Sequence, residues 1–409
     1  MKKRLLLTML AAPLLAGGAH ADEGNAWPPI KVSGFGTAAL TASDAKNAEF
    51  SRPNQYSGVQ GEPRFGVDSN LGLQAVTNVN DWLSATVQVL MRKDGADTYG
   101  AELAWAFAKA KLSDNVSVRV GRVGLPVFMI SDYRNVGYAN TLLRPPVEVY
   151  SQVPFGSLDG ADITYQQSFG DTTYTAQLAA GGAKTEIVAA AGSLVHLESK
   201  SATAINLVAE HGPLTVRFGR LDTKLSQDDF AGFNTLAAAL RSVGSAAKLP
   251  QLNAWADAAE VKDKKASFTS VGLGLDWNNI VLQSEYAKRK TDTFIADTTS
   301  WYLMGGYRIG KFLPYYSHGN LAVNADLSNP VPAAPALAPL RAGVGQFVAP
   351  VEQSSDTIGV RWDFYRSAAL KVQIDRIKPK AGGGLLTNKA PNFNASSVMV
   401  GAVAIDFVF

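Results

Sequence analysis

The stretch Val398–Phe409, VMVGAVAIDFVF, shows the clearest periodic pattern in the chain. Large apolar residues occupy one set of alternate positions, and small residues and a carboxylate occupy the other. The first set contains Val403, Ile405, Phe407 and Phe409, and the second contains Ala402, Ala404 and Asp406. A repeat of two residues is typical of a β-strand, because successive side chains of a strand point to opposite faces. The stretch therefore predicts a strand with one apolar face.

Fifteen earlier segments have the same alternating character, so we predict sixteen strands in all. They are Ile30–Thr41, Phe65–Thr77, Trp82–Met91, Glu102–Leu112, Val116–Arg122, Asp162–Phe169, Tyr174–Gly181, Ala204–Glu210, Leu214–Leu221, Ser267–Trp277, Ile280–Lys288, Ser300–Ile309, Phe312–Ser317, Thr357–Phe364 and Leu370–Ile377. An even number of strands is typical of a β-barrel made from a single bacterial chain.

The connections between these segments alternate between short and long. Short polar connections such as Asn278-Asn279 and Gly310-Lys311 carry residues that tolerate tight turns. The long connections are Asp44–Arg64, Val123–Asp159, Lys224–Lys264, Ala322–Ser355 and Pro379–Ser397. Outer-membrane barrels have short turns on one rim and long loops on the other. We therefore predict an all-β fold, a 16-stranded antiparallel transmembrane β-barrel with both termini on the short-turn rim.

Two of the long connections contain further local patterns. The apolar residues from Phe230 to Leu240 follow helical spacing and predict a small helix. The stretch Pro330–Pro339 alternates proline and alanine and predicts an extended linker.

The first 21 residues have the pattern of a secretory signal peptide. A basic cluster precedes the apolar run Leu5–Leu15, and small residues follow it up to Ala21. We expect the signal peptide to be 1–21, cleaved on export to the cell outer membrane of a Gram-negative bacterium, and 22–409 to form a single β-barrel domain.

Composition excludes several classes of function. The chain has 38 Lys and Arg residues against 35 Asp and Glu residues, and three of the basic residues lie in the predicted leader, which has no acidic residue. The remainder is formally neutral, which argues against a nucleic-acid partner. The absence of cysteine excludes thiolate metal sites and thiol catalysis.

Catalytic motifs are also absent from the sequence. His196, His211 and His318 are widely separated, and no HExxH, P-loop or GxSxG pattern occurs. We therefore predict that the chain is not an enzyme and has no catalytic residue, metal or cofactor. Two alternatives stay open, namely an outer-membrane hydrolase that uses His318 with Asp326, and a purely structural or assembly barrel.

Charged residues at inward positions are the candidates for the wall of a water-filled lumen. Arg119, Arg217 and Arg361 lie near mid-strand, where the lipid face would cost each about 2–4 kcal/mol. Such arginines either pair with wall carboxylates or act on permeating ions. The candidate carboxylates of the wall are Asp68, Asp276, Glu285 and Asp375. The candidate pore-lining and constriction residues are Arg64, Arg119, Asp132, Arg134, Arg144, Glu148, Arg217, Arg361 and Lys371.

The sign of the ionic preference depends on which of these charges lie at the narrowest level. If the strand arginines lie there, they raise the local anion concentration and give a weak anion preference. If Asp132 and Glu148 face the aperture and carboxylates neutralise the arginines, the channel is neutral or slightly cation-selective. The first case is the one we predict.

The leader, the sixteen strands, the long third loop after VRVGR and the terminal Phe409 together resemble the Gram-negative trimeric porin family, of the general diffusion type. The resemblance covers the chain after the leader. It implies a homotrimer among outer-membrane lipid and lipopolysaccharide that lets small hydrophilic solutes and ions diffuse passively. It also implies that Phe409 is part of the signal read by the barrel-assembly machinery.

The resemblance further implies that the third loop, Val123–Asp159, folds into the lumen. Its length and apolar residues favour the same placement, since such a segment is poorly suited to exposure. The loop lacks the PEFGG-type acidic motif of enteric porins, so their pore size and cation preference do not carry over. A substrate-selective anion channel is the alternative within this class.

Overall fold

The structure is a computed structural model that describes residues 28–188, 194–227, 231–324, 328–348, 351–380, 383–390 and 393–409. The predicted signal peptide and Asp326 lie outside these residues. The described chain forms one antiparallel sheet of seventeen strands. The strands are β1 (Ile30–Ser43), β2 (Gly61–Arg64), β3 (Asn70–Asn78), β4 (Leu83–Lys93), β5 (Tyr99–Lys111), β6 (Val116–Gly124), β7 (Ser157–Phe169), β8 (Thr172–Val188), β9 (Leu194–His211), β10 (Leu214–Gln227), β11 (Lys264–Trp277), β12 (Ile280–Thr291), β13 (Thr298–Tyr307), β14 (Phe312–Val323), β15 (Gln353–Tyr365), β16 (Ala368–Pro379) and β17 (Val398–Val408).

The sheet closes on itself as a barrel. From β3 to β17, each strand pairs with the next one in the chain, and β1 pairs with both β3 and β17. Phe35, for example, lies opposite Gly72 on one side and Val408 on the other. Closure satisfies the backbone hydrogen bonds of every long strand, so no edge is left open. The sixteen long strands are those predicted, and the prediction of an antiparallel 16-stranded barrel is confirmed.

The short strand β2 is an addition that the sequence did not predict. It pairs only with the end of β1, where Thr41 lies opposite Arg64 and Ser43 opposite Gly61. Four residues that include a proline are too short to show an alternating pattern.

Side chains alternate between the two faces of the wall. On β16, Val372 and Ile374 are exposed on the outer face, while Lys371, Gln373 and Asp375 are buried on the inner face. The other long strands also alternate between an outer and an inner face, but the inner face carries buried apolar residues such as Phe268 on β11 and Leu313 on β14, and the outer face is polar at the C-terminal end of β10, at Asp222 and Lys224.

The rim that carries the short turns also carries both described chain ends, as predicted. The other rim is less regular than the sequence analysis suggested, because the connections at 94–98 and 292–297 are short as well. Strands β8 and β9 also extend far beyond their predicted ends, since their pairing resumes after an irregularity near Gly182. The prediction of a strict short-long order is therefore wrong on this rim, which we call the long-loop rim.

Helices from two connections pack together at the long-loop rim. They are α2 (Ala231–Ala246), α3 (Pro250–Ala259) and α4 (Ala338–Val348), and they share an apolar core around Leu240, Leu252 and Val344. The predicted helix is thus confirmed. The predicted linker Pro330–Pro339 is wrong at its end, because α4 begins at Ala338. None of the described helices is long and apolar enough to cross a membrane.

Candidate functional site

The connection between β6 and β7, residues 125–156, lies inside the barrel; we call it the third loop. It contains the short helix α1 (Val147–Tyr150). Glu285 on the inner face of β12 accepts hydrogen bonds from the Met129 backbone nitrogen at 3.0 Å and the Tyr150 hydroxyl at 2.7 Å. The Leu143 backbone nitrogen donates to Gln373 on β16 at 2.9 Å. The loop therefore crosses the lumen, although the ends of the predicted segment, 123–124 and 157–159, belong to strands.

Apolar side chains hold the first part of the loop against the wall. Val127 and Phe128 are buried, and the Phe128 ring centroid lies 4.8 Å from that of Tyr150 and 5.0 Å from that of Phe268 on β11. This burial explains the apolar composition of the loop, because the wall covers these residues.

Arg144 anchors the second part of the loop through buried charges. Its guanidinium donates to both carboxylate oxygens of Asp68, at 2.9 and 2.6 Å, and also to Asp375 on β16. The guanidinium carbon lies 4.9 Å from the ring centroid of Phe50. Arg144 was predicted to line the pore, but only 4% of its side chain is exposed, so it holds the loop to the wall instead.

Lys371 is likewise buried beneath the third loop. Its ammonium pairs with Asp406 at 2.9 Å and donates to the carbonyls of Gly137 and Leu142 at 2.8 and 3.0 Å. Lys371 was predicted to line the pore, but its side chain is fully buried, so it does not do so.

Arg361 is committed in a similar way. It donates to Asp363 at 2.9 Å and to the carbonyls of Tyr138 and Asn140 at 2.7 and 3.0 Å. These hydrogen bonds hold the third loop to the wall. They occupy most of the guanidinium N–H groups, so few remain for a permeating ion.

Glu148, the predicted carboxylate of the aperture, is also buried. Its side chain accepts a hydrogen bond from Gln353 at 2.7 Å. Burial raises the pKa of the Glu148 carboxyl, and the hydrogen bond from Gln353 opposes that rise. Glu148 therefore faces the wall and not the aperture.

Two polar cavities lie on either side of the third loop. The lower cavity, of about 1040 Å³, reaches the turns of the short-turn rim at Asn80 and Asp114. The upper cavity, of about 460 Å³, reaches the β4–β5 connection at Asp94. Asp132 lines both cavities, so it lies between them. We call the level of Asp132 the junction.

The charges nearest the junction differ in how far they are neutralised. Asp132 is exposed. Arg119 lines the lower cavity but pairs with Asp162 at 2.6 Å. Arg217, also on the lower cavity but only 6% exposed, donates from Nη1 to the Met129 carbonyl at 3.0 Å, and its buried Nε and Nη2 have no partner among the described residues. Arg134 lines the upper cavity.

Two other predicted residues lie away from the junction. Arg64 is on β2, in the connection between β1 and β3, residues 44–69, which we call the first loop. It donates to Ser57 and Gly58, so its predicted place at the constriction is wrong. Phe409 pairs through its backbone with Gly34 across the seam between β17 and β1, and its ring is exposed on the outer face.

Sequence reasoning missed some charged residues of the site. Asp406 could have been found, because it is the one carboxylate on the inward face of the terminal strand. Arg92 stands one residue past the predicted end of its strand, and Arg52 lies in a connection without periodicity, so neither gave a signal.

The histidine that the hydrolase alternative requires lies on the outer face. His318 bonds to Asp356 at 2.8 Å and contacts the Trp301 ring at 5.4 Å between centroids, away from both cavities. Its suggested partner, Asp326, is outside the described residues. In the part of the chain that the structure describes, no group of three or more His, Cys, Asp and Glu residues could hold a metal ion.

No protein-family model and no curated protein matches the chain. Solved structures do resemble it. An anion-selective porin from Comamonas acidovorans has a TM-score of 0.53 at 12% identity, covering 94% of this chain and 100% of that one. The OmpF of Salmonella typhi in complex with daunomycin has a TM-score of 0.55 at 14% identity, covering 93% and 98%. The chain has the porin fold.

A third example of the porin fold is a trimer form of OmpT, an outer membrane protein of Vibrio cholerae. It has a TM-score of 0.52 at 13% identity and covers 93% of this chain and 99% of that one. At these identities the likeness describes the path of the backbone alone, so the side chains at the junction have to be interpreted on their own chemistry.

Proposed function

We propose that the chain forms a water-filled channel through the outer membrane of a Gram-negative bacterium, for passive diffusion of small hydrophilic solutes and ions. The observation that carries the proposal is the pair of polar cavities, both lined by Asp132, inside a closed barrel. An apolar outer face suits such a barrel to lipid, and a polar inner face suits it to water.

The third loop sets the width of this channel. Buried ion pairs and apolar contacts attach it to the wall along much of its length, so the aperture at the junction keeps a fixed size. Solutes that pass Asp132 need no conformational change, which is the property of a diffusion channel.

A weak anion preference follows from the charges at the junction. Asp132 lines both cavities, Arg134 lines the upper one and Arg217 the lower one, and neither guanidinium has a carboxylate partner among the described residues. Positive charge that is not neutralised raises the local concentration of anions where low-dielectric walls focus the field. The anion preference stays weak because the exposed carboxylate of Asp132 lies at the same level and attracts cations. A substrate-selective anion channel is the second form of this proposal.

Liposome swelling tests the channel itself. Purified protein in liposomes should admit small sugars and amino acids, with rates that fall as the solute grows. Heat-denatured protein in the same lipid serves as the control. Swelling no faster than the control would overturn the proposal.

A homotrimer is the form in which we propose the channel works. Exposed aromatic residues are more frequent on β7–β16 than on β1 and β3–β6, which expose chiefly Val, Leu and Ile, with Phe65, Trp82 and Tyr99 near the strand ends. Aromatic girdles mark the contact with lipid headgroups, so a sector poor in them suits contact with another copy. A measured mass in mild detergent equal to three chains is expected, and a monomer alone would contradict it.

Lipid, lipopolysaccharide and the barrel-assembly machinery are the other proposed partners. Lys224, Lys265, Lys288 and Lys290 are exposed near the long-loop ends of β10–β12, where their ammonium groups can meet lipopolysaccharide phosphates. Phe409, at the seam of the barrel, is the residue proposed for recognition during assembly.

A further inference from the structure

Three arginines from separate parts of the fold meet beside the upper cavity. Arg52 belongs to the first loop, Arg92 to β4 and Arg134 to the third loop, and all three line one side cavity of about 50 Å³. Arg92 and Arg134 also line the upper cavity. The side cavity is therefore a recess in the wall of the proposed channel.

The protein itself neutralises only part of this charge. Within the described residues no carboxylate lines the side cavity. Arg92 pairs with Glu102 at 2.9 Å, whereas the guanidinium groups of Arg52 and Arg134 form no ion pair with a described residue. Asp68 acts on Arg52 from a distance, but its two oxygens are already bound by Arg144.

Burial and the neighbouring positive charges lower the pKa values of two of these arginines. Burial, and then the charge of Arg92, lowers the pKa of Arg134 to about 10. Burial lowers the pKa of Arg52 to about 10 as well, with Asp68 opposing and Arg92 and Arg144 reinforcing the shift. Both groups stay protonated at neutral pH, so the recess holds like charges that an anion would stabilise.

We propose that the side cavity binds a compact divalent oxyanion, such as inorganic phosphate, sulfate or the terminal phosphate of an ester. The proposal rests on the proposed channel function and names the solute class that the channel retains. Guanidinium groups present planar pairs of N–H donors that match the oxygens of such an anion. With Glu102 offsetting one of the three cations, two positive charges remain for a dianion.

The size and the remaining polar groups of the recess suit the same ligand. A volume of about 50 Å³ has room for one compact group and not for an extended molecule. Asn54 and Asn135 line it as well and can donate amide N–H groups to an oxyanion. The rest of a phosphate ester would lie in the upper cavity, which adjoins the recess.

Chloride currents through single channels test the site. With potassium chloride on both sides at pH 7.5, sodium phosphate should reduce the current and the reduction should saturate. The variants Arg52→Gln and Arg134→Gln should each raise the half-saturating phosphate concentration about tenfold, since each removes charge-assisted hydrogen bonds. The control Arg220→Gln removes an arginine that is paired with Asp222 on the outer face, and it should change nothing.

Other divalent anions test whether the site requires a compact anion or accepts any anion with two charges. Sulfate should act in the same concentration range as phosphate. Succinate carries its two charges at opposite ends and should need about ten times more. Equal half-saturation by succinate, no saturation by phosphate, or equal shifts in Arg134→Gln and Arg220→Gln would each overturn the site.

The site can also be tested apart from conductance. Phosphate titrated into the detergent-solubilised protein should release or take up heat with a saturable isotherm that Arg134→Gln weakens. Resistance of each variant to unfolding in warm detergent establishes that it is folded. Absence of conductance would contradict the channel, whereas absence of binding in the titration would contradict the site alone.

Discussion

Arg144 holds the third loop to the wall through charges that are almost fully buried. Its guanidinium lies between Asp68 and Asp375, which have 1% and 9% of their side chains exposed. Taking the cation away would leave two buried carboxylates without a partner. Breaking a buried pair in this way costs about 3–5 kcal/mol.

We therefore predict that Arg144→Met destabilises the barrel and loosens the loop. The temperature at which the protein unfolds in detergent should fall, and the channel current should become noisier. The matched variant Arg220→Met breaks an exposed pair worth about 0–1 kcal/mol. Equal losses of stability in the two variants would contradict the anchoring role.

Single charges at the junction should also control the ionic preference. Asp132→Asn removes the exposed carboxylate, so the reversal potential in a potassium chloride gradient should shift toward chloride. Arg217→Gln removes a guanidinium with two unpartnered nitrogens, Nε and Nη2, and the shift should be toward potassium. Shifts of the same sign in both variants would mean that neither charge lies at the narrowest level.

The alternation of the strands indicated which residues face inward, but not what they contact. Arg119, Arg217 and Arg361 do lie on the inner face. The carbonyls of Tyr138 and Asn140, which accept from Arg361, come from an irregular segment more than 200 positions away. No periodic pattern specifies the path of such a segment, so the anchoring roles of Arg144, Arg361 and Lys371 could not be predicted.

At the scale of the element, the third loop narrows the channel. It contacts the wall closely at Gly137, where a Cβ atom would overlap the carboxylate of Asp406 and the hydroxyl of Thr37. Only a residue without a side chain allows this approach. The prediction that the loop lies in the lumen came from its length and apolar composition, which burial against the wall accounts for.

Removing part of this loop should widen the aperture. Deletion of residues 134–143 takes away the segment between the junction and Arg144, and the unitary conductance should roughly double, because less of the lumen is occupied. Detergent-resistant folding of the variant has to be established first. An unchanged conductance in a folded barrel would place the narrowest level elsewhere.

A single substitution offers a milder version of the same test. Gly137→Val should push the loop from the wall and raise the conductance or its noise. Gly401→Val adds the same side chain to β17 at a position with no neighbouring atom within 4 Å, so it serves as the control. Quiet currents of normal size in Gly137→Val would show that the contact at Gly137 is not needed.

For the whole molecule, closure of the sheet is the feature that the sequence predicted best. The sequence has sixteen segments with a repeat of two residues, and an even number of strands is typical of a closed barrel. In the structure, β1 does pair with β17. The elements that escaped prediction, β2, α1, α3 and α4, lie in the long connections. Their structure depends on packing between distant loops, as in the shared core of Leu240, Leu252 and Val344. The local sequence pattern does not predict such contacts.

The central claim is that water and ions pass through the barrel beside the third loop. Recording from single molecules of the purified protein in a planar bilayer tests it most directly. We expect discrete conductance steps that grow linearly with voltage and a reversal potential displaced slightly toward chloride in a potassium chloride gradient. A folded, membrane-inserted protein that gives no steps, or steps with a clear preference for potassium, would contradict it.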